Sequence, residues 1–367
     1  MKDVARPLVR WTGFVPLLGA LVLIAALAFS LEGPITYGIS ALFLAGSVLA
    51  AVHHAEVLAA KVGEPFGALI LALAVTIIEV GMILTLMYAG GEGSESLARD
   101  TVFSAVMITT NLIVGISLTL ATLKHGMVRF SAEGASAALA AVIALATLTM
   151  VLPALTRSAD GPVFTTVQLV FAAIASLALW GSFVATQTVR HRDFFLPVDK
   201  EGEPMKGGEE HAEPPSTGET WASAVLLLVA LVGVVGLSKV ASPAIESFVA
   251  GAGLPSSFVG VIIALLVLAP ETLAAARAGR RDRVQTSFNL AYGSAIASIG
   301  LTVPAIAIIS IVGDIPLHLG LSGVEMALLA MTAACSILTV ARGRATRQQA
   351  AIHLILGIAF LVLAAFP

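Results

Sequence analysis

The sequence predicts an all-α polytopic membrane protein of eleven transmembrane helices, one leading helix plus two inverted five-helix repeats. Three observations carry this. Hydrophobic residues fill 58% of the 367 positions and charged residues only 12%, against about 25% charged in soluble proteins. Mean hydropathy is +0.97. Apolar runs long enough to cross a bilayer recur along the whole chain, and one hydrophilic stretch divides ten of them into five and five.

The runs fall at 13–31, 35–58, 65–89, 99–122, 132–152, 163–189, 221–240, 256–277, 283–311, 322–341 and 349–366. Residues 242–254 are expected to be a short extra helix or the end of the seventh span. The first run has a basic flank and an Ala26-Leu-Ala28 sequence similar to a cleavage site. Its length and the spans that follow favour a retained helix over a signal peptide. The domains are therefore 1–33, a leading helix; 34–190, the first repeat; 191–220, an acidic linker; and 221–367, the second repeat. The linker carries Asp193, Asp199, Glu201, Glu203, Glu209, Glu210, Glu213 and Glu219 among Gly and Pro, and has too little apolar surface for a core. It is expected to be a soluble tether, with cation sensing as the sharper alternative. The single cysteine, Cys335, permits no intrachain disulfide.

Basic residues orient the spans. With the N-terminus in the cytoplasm, 17 of the 20 Lys and Arg residues fall inside. Only Arg99, Arg157 and Lys239 fall outside, the asymmetry expected of an inner (plasma) membrane protein with its C-terminus external. Because each repeat has five spans, the halves must insert with opposite orientation, as in many secondary transporters.

The repeat can be read in residues. Gly63-Glu-Pro65 precedes the run ending at Glu79, and Arg99-Asp100-Thr-Val-Phe-Ser opens the next span. Gly253-Leu-Pro255 precedes the run ending at Glu271, and Arg281-Asp282-Arg-Val-Gln-Thr opens the next. The offsets, 192 at the glutamates and 182 at the Arg-Asp pairs, differ by the longer turn 90–97. Inversion puts Asp100 and Asp282 at opposite mouths.

Glu79 and Glu271 are the expected functional centre. An acid at bilayer depth costs on the order of 2.5–3.5 kcal/mol, so it marks an ion or proton path more often than a structural bond. Two neighbouring acids can hold two protons or one divalent cation, which is antiport by competition. Hard oxygens suit Ca2+, and no His or Cys adjoins either glutamate, which argues against zinc and copper. Thr76, one turn before Glu79, and Thr272, beside Glu271, offer hydroxyls; the plainer reading is back-bonding within the helix. Pro270 is expected to free a backbone carbonyl about one turn upstream. Asn111, Asn289 and Ser294 in the partner spans are candidate ligands or supports, against the alternative of interhelix bonding. Gly115, Gly293 and Gly300 are expected to permit close packing. His53, His54 and Glu56 suggest a solvated helix end, with proton entry as the functional alternative.

The stretch from Gly63 to Glu79 with Arg99-Asp-Thr-Val-Phe resembles the first signature repeat of bacterial calcium/proton antiporters of the ChaA-like kind. Leu266-Val-Leu-Ala-Pro-Glu271 and Asn289-Leu-Ala-Tyr-Gly-Ser-Ala-Ile-Ala-Ser298 resemble the second. These antiporters belong to the cation/calcium exchanger superfamily, and the resemblance spans essentially the whole chain. It implies that Glu79 and Glu271 are central cation and proton ligands, with Thr76 and Ser294 at polar positions near the site. Where other members place Asn or Gln after the Gly-Ser pair, this chain has Ala297 and Ser298.

The expected function is export of Ca2+ in exchange for H+ by alternating access, with no resident cofactor. The expected partners are the lipid bilayer and the ions themselves, and no nucleic acid. A Na+ or K+/proton antiporter on the same scaffold is the alternative, and a cation channel a more distant one, since channels commonly need rings of subunits. An enzyme is not expected: the chain has no Gly-x-Ser-x-Gly and no His-Glu-x-x-His motif. Oligomeric state has no signature in the sequence.

Overall fold

The structure, a computed structural model, describes residues 10–63, 66–89, 93–199, 205 and 215–367. Lys2, Arg6, Glu64, Pro65, the start of the 90–97 turn and most of the linker acids lie outside the described residues. Ten helices are long and apolar enough to cross a membrane, and one broken pair makes eleven if counted as a single span. The chain is thus an all-α, multi-pass membrane protein.

In order, the helices are α1 (Trp11–Ala28), α2 (Pro34–Val62), α3 (Phe66–Ala89), α4 (Ser94–His125), α5 (Ala132–Leu155) and α6 (Thr166–Arg190). After the linker come α7 (Thr217–Gly251), the broken pair α8 (Phe258–Val267) and α9 (Ala269–Arg280), then α10 (Val284–Gly313), α11 (Gly323–Val340) and α12 (Arg347–Ala365). The seventh span carries Pro243 inside it, so most of 242–254 is its last turns rather than a separate helix. Such a proline is tolerated where neighbouring helices satisfy the freed backbone groups.

Helix starts follow local chemistry. Thr165 with Gln168, Ser322 with Glu325 and Thr346 with Gln349 form capping boxes at α6, α11 and α12. Each satisfies two amide groups that a helix otherwise leaves bare. Four helices contain π turns, at Ile108–Ile113 in α4, Thr147–Val151 in α5, Thr186–Arg190 in α6 and Ser298–Thr302 in α10. Extra residues in a turn put carbonyls out of register. Hydroxyls bond carbonyls just before them: Thr109 to Ala105 and Thr149 to Leu145, both at 2.8 Å.

The chain separates into two compact units that do not follow its sequence halves. The first takes Met1–Leu97 and His211–Val267, hence α1, α2, α3, α7 and α8. Here α2 and α7 form the main pair, with α1 and α3 packed on both. Small residues allow the approach: a Cβ on Gly236 would run into Leu23, and one on Gly81 would meet Val235 at 2.7 Å. His54 is buried, not solvated as expected, because its Nε2 bonds the Thr12 carbonyl in the first turn of α1 at 2.9 Å.

The second unit takes Ala98–Glu210 and Leu268–Pro367. A two-residue ribbon, β1 (Val128–Arg129) with antiparallel β2 (Arg344–Ala345), joins loops from the two repeats. Asp100 starts α4, 4% exposed, and Arg99 clasps it through Nε at 2.8 Å and Nη2 at 2.7 Å. Asp282, in the left-handed region at φ 61, lies 4.0 Å from His125 at the other end of α4. Asp100 thus lies near the start of α4, and Asp282, in the loop before α10, lies near its other end. Gly300 and Gly115 do admit neighbours, Trp180 and the Leu354 backbone. Gly293 has nothing within 4 Å and plays no packing role.

Gly279 is the tightest contact of α9, where a Cβ would fall 2.6 Å from the Ser117 carbonyl of α4. Gly279→Ala should cost about 1–3 kcal/mol of stability. Gly293→Ala should cost none, and thermal unfolding of the two variants in detergent measures the contrast.

Candidate cation-binding residues

Glu79 stands mid-helix in α3 and is 3% exposed. The apolar run around it is what makes the helix, and α2, α7 and α8 pack on α3. Thr76 shares its face, 7% exposed, and donates its proton to the Ala72 carbonyl at 2.8 Å. That leaves the oxygen lone pairs of Thr76 as its only free valence toward a cation. Two turns beyond Glu79, Leu86 lines a cavity of about 240 Å3 with Leu97, Val249, Ser256 and Val259, and Glu246 at its edge.

Glu271 has a different backbone setting. The span breaks after Val267, Leu268 leaves helical geometry at φ −87 and ψ 0, and Pro270 opens the new helix α9. Glu271 sits in the first turn, 9% exposed, where the helix dipole and free amides stabilise negative charge. Thr272 turns back onto the Leu268 carbonyl through both its amide, 2.9 Å, and its hydroxyl, 2.7 Å. The carbonyl at the break is therefore occupied, and any backbone ligand must come from the last turn of α8.

Asn111 lies in the π turn of α4, with no solvent exposure. Its Nδ2 donates to Thr332 Oγ1 of α11 at 3.0 Å, while its Oδ1 has no hydrogen-bond partner among the described residues. An amide fixed at one end with a bare acceptor at the other suits cation ligation. α9, the helix of Glu271, packs against this π turn and against α10 within the second unit. Ser294 is half-buried on α10.

Asn289 serves elsewhere. Its Nδ2 donates to the Phe195 carbonyl at 2.6 Å, and its Oδ1 accepts from Gln285 at 2.8 Å. Gln285 in turn accepts the Ser131 amide at 2.8 Å. The turn Arg192–Phe195, at the start of the linker, is thereby tied to α10, with Phe195 edge-on to Phe183 at 5.8 Å. Sequence reasoning missed Thr332 and Gln285, whose roles appear only when helices distant in sequence meet.

Among the described residues, no group of three His, Cys, Asp or Glu side chains is placed to hold a metal ion. A cation here would rest on one or two carboxylates and neutral oxygens. The family profile of the sodium/calcium exchanger protein matches residues 32–189 and 222–366. The chain belongs to that family, in the cation/calcium exchanger superfamily, and its class is cation antiport across a membrane.

Over 363 residues the chain is 42% identical to y4hA of Sinorhizobium fredii (strain NBRC 101917 / NGR234), covering 97% of this chain and 96% of that protein. It is 33% identical over 346 residues to the sodium-potassium/proton antiporter ChaA of Escherichia coli (strain K12), covering 94% and 93%. The crystal structure of the H+/Ca2+ exchanger CAX superposes with a TM-score of 0.64 at 20% identity, over 97% of this chain and 89% of that one, a likeness of fold.

Thr332→Val removes the bond that orients Asn111. The half-saturating cation concentration should rise about tenfold, with protein yield and monodispersity retained, as read from initial rates of transport in proteoliposomes.

Proposed function

We propose that this chain exports Ca2+ in exchange for H+ by alternating access, with Glu79 and Glu271 holding the cation or protons in turn. The observation that supports this most is two carboxylates, 3% and 9% exposed, buried in apolar helices. Carboxylates inside transmembrane helices are costly and mark ion or proton paths. Two ionised carboxylates match one divalent charge, and two protons replace it without net change. Thr76, Thr272, Asn111 and Ser294 add neutral oxygens to the set. Asn289 is left out, since its amide already bonds Phe195 and Gln285.

The loops that hold 17 of the 20 Lys and Arg residues face the cytoplasm of a bacterial-type inner membrane, with the N-terminus inside and the C-terminus outside. A second reading, Na+ or K+ exchange for H+, draws support from the 33% identity to ChaA, a sodium-potassium/proton antiporter. One carboxylate suffices for a monovalent ion, so a requirement for both acids favours Ca2+.

Everted vesicles with an imposed proton gradient test this directly. Addition of Ca2+ should release protons, and Na+ or K+ should release fewer. Glu79→Gln and Glu271→Gln should each lose roughly 3 kcal/mol of ion binding, about 100-fold in affinity. Undiminished exchange in either variant removes that residue from the site.

A further inference from the structure

Within the second unit, buried polar side chains line up along one face of α11. Thr332, Ser336 and Thr339 follow at intervals of four and three residues and are no more than 2% exposed. Three helices set polar groups against them, each fully buried: Asn111 of α4, Tyr292 of α10 and His353 of α12. Asn111 bonds Thr332 at 3.0 Å, the Tyr292 hydroxyl stands beside that of Ser336, and His353 Nε2 meets Thr339 Oγ1 at 3.1 Å. The backbone carbonyl of Thr110, in the π turn, lies against the same imidazole.

This file is under-bonded. Asn111 Oδ1, Tyr292 Oη, Ser336 Oγ and His353 Nδ1 are buried without a well-formed hydrogen bond among the described residues; the two hydroxyls neighbour each other and the imidazole neighbours the Thr110 carbonyl. Each such group costs about 1–3 kcal/mol if left dry. Aliphatic side chains would pack a membrane bundle at no such cost. Buried polar groups of this kind recruit internal water, which needs two to four polar neighbours, roughly what the file offers. The seven steps from Thr332 to Thr339 rise about 10 Å. They lead from mid-span to the end of α11, where the loop with Arg342 and Arg344 begins. At the inner end, the Asn111 turn packs against the helix of Glu271.

We propose that this file is a water-bearing proton route between the 341–346 loop and the region of Glu271, separate from the path of the cation. The proposal rests on the proton-coupled exchange put forward above. No Asp or Glu lines the file among the described residues, so a metal ion would find no charge to replace its hydration. A proton needs only alternating donors and acceptors. His353 supplies the step between them: a proton arriving at Nδ1 yields the imidazolium, and the proton on Nε2 then leaves to Thr339 or a water beside it. The imidazole ends in its other tautomer with no net charge. Facing it are the Thr110 carbonyl from α4 and the Thr339 hydroxyl from α11, and no charged side chain contributes at the ring.

Two fluxes separate this from a structural role. Proton-driven uptake of labelled Ca2+ needs the file; exchange of labelled for unlabelled Ca2+ at equal pH moves no net proton and does not. In proteoliposomes of the full chain, His353→Leu and the double variant Tyr292→Phe with Ser336→Ala should lower the first flux at least about tenfold. The second should stay within about twofold of the parent. Parallel loss of both fluxes, or no loss in either, overturns the proposal. A parent protein that exchanges Ca2+ for Ca2+ but never couples to protons overturns the antiport reading instead. Hydration is read independently with Ag+. On a Cys335→Ala background, Ser336→Cys should react, whereas Ser176→Cys, at an equally buried position whose serine hydroxyl bonds its own helix, should not. Protection of Ser336→Cys also overturns the file.

Discussion

Inside a lipid bilayer a polar group has no water to fall back on, and most of this structure is an answer to that constraint. Serine and threonine hydroxyls fold back onto carbonyls of their own helices, and capping boxes close helix starts. Where a π turn shifts the backbone register, neighbouring hydroxyls take up carbonyls nearby. Against this background, buried polar atoms with no hydrogen-bond partner among the described residues stand out, among them the Asn111 amide oxygen and a short file of hydroxyls with an imidazole.

The two carboxylates are related in sequence but not in backbone setting. Glu79 is carried by an unbroken helix, so its surroundings come entirely from the neighbours of α3. Glu271 sits on the first turn after a break made by Leu268 and Pro270, where bare amides and the helix dipole already favour negative charge. A duplicated helix has thus been given two electrostatic characters.

Much of the fold was legible from the sequence because the bilayer imposes length and hydropathy on each span. Ten of the expected spans appear as single helices and the eleventh as a broken pair, with Pro270 as the written cause. The buried acids were legible for the same reason: Glu79 and Glu271 interrupt runs that tolerate no other charge. The π turns were not, since Thr109-Thr-Asn111 and Ser298-Ile-Gly300 read equally well as ordinary helix. Asn289 was misread as a ligand candidate because nothing local announces that Phe195, 94 residues earlier, is its partner. His54 was placed in solvent because its bond to Thr12 joins two helices through a backbone atom, which leaves no mark in composition.

The interleaving of the compact units bears on how the chain is made. α1, α2 and α3 leave the ribosome long before α7, yet α7 is the helix on which all three pack. Until it is synthesised, Ser40 and Ser47 of α2, which the finished bundle buries completely, must wait in the translocon or against lipid. Neither half can complete a core by itself. Each compact unit draws helices from both halves of the sequence, so neither can close until the second half has been made.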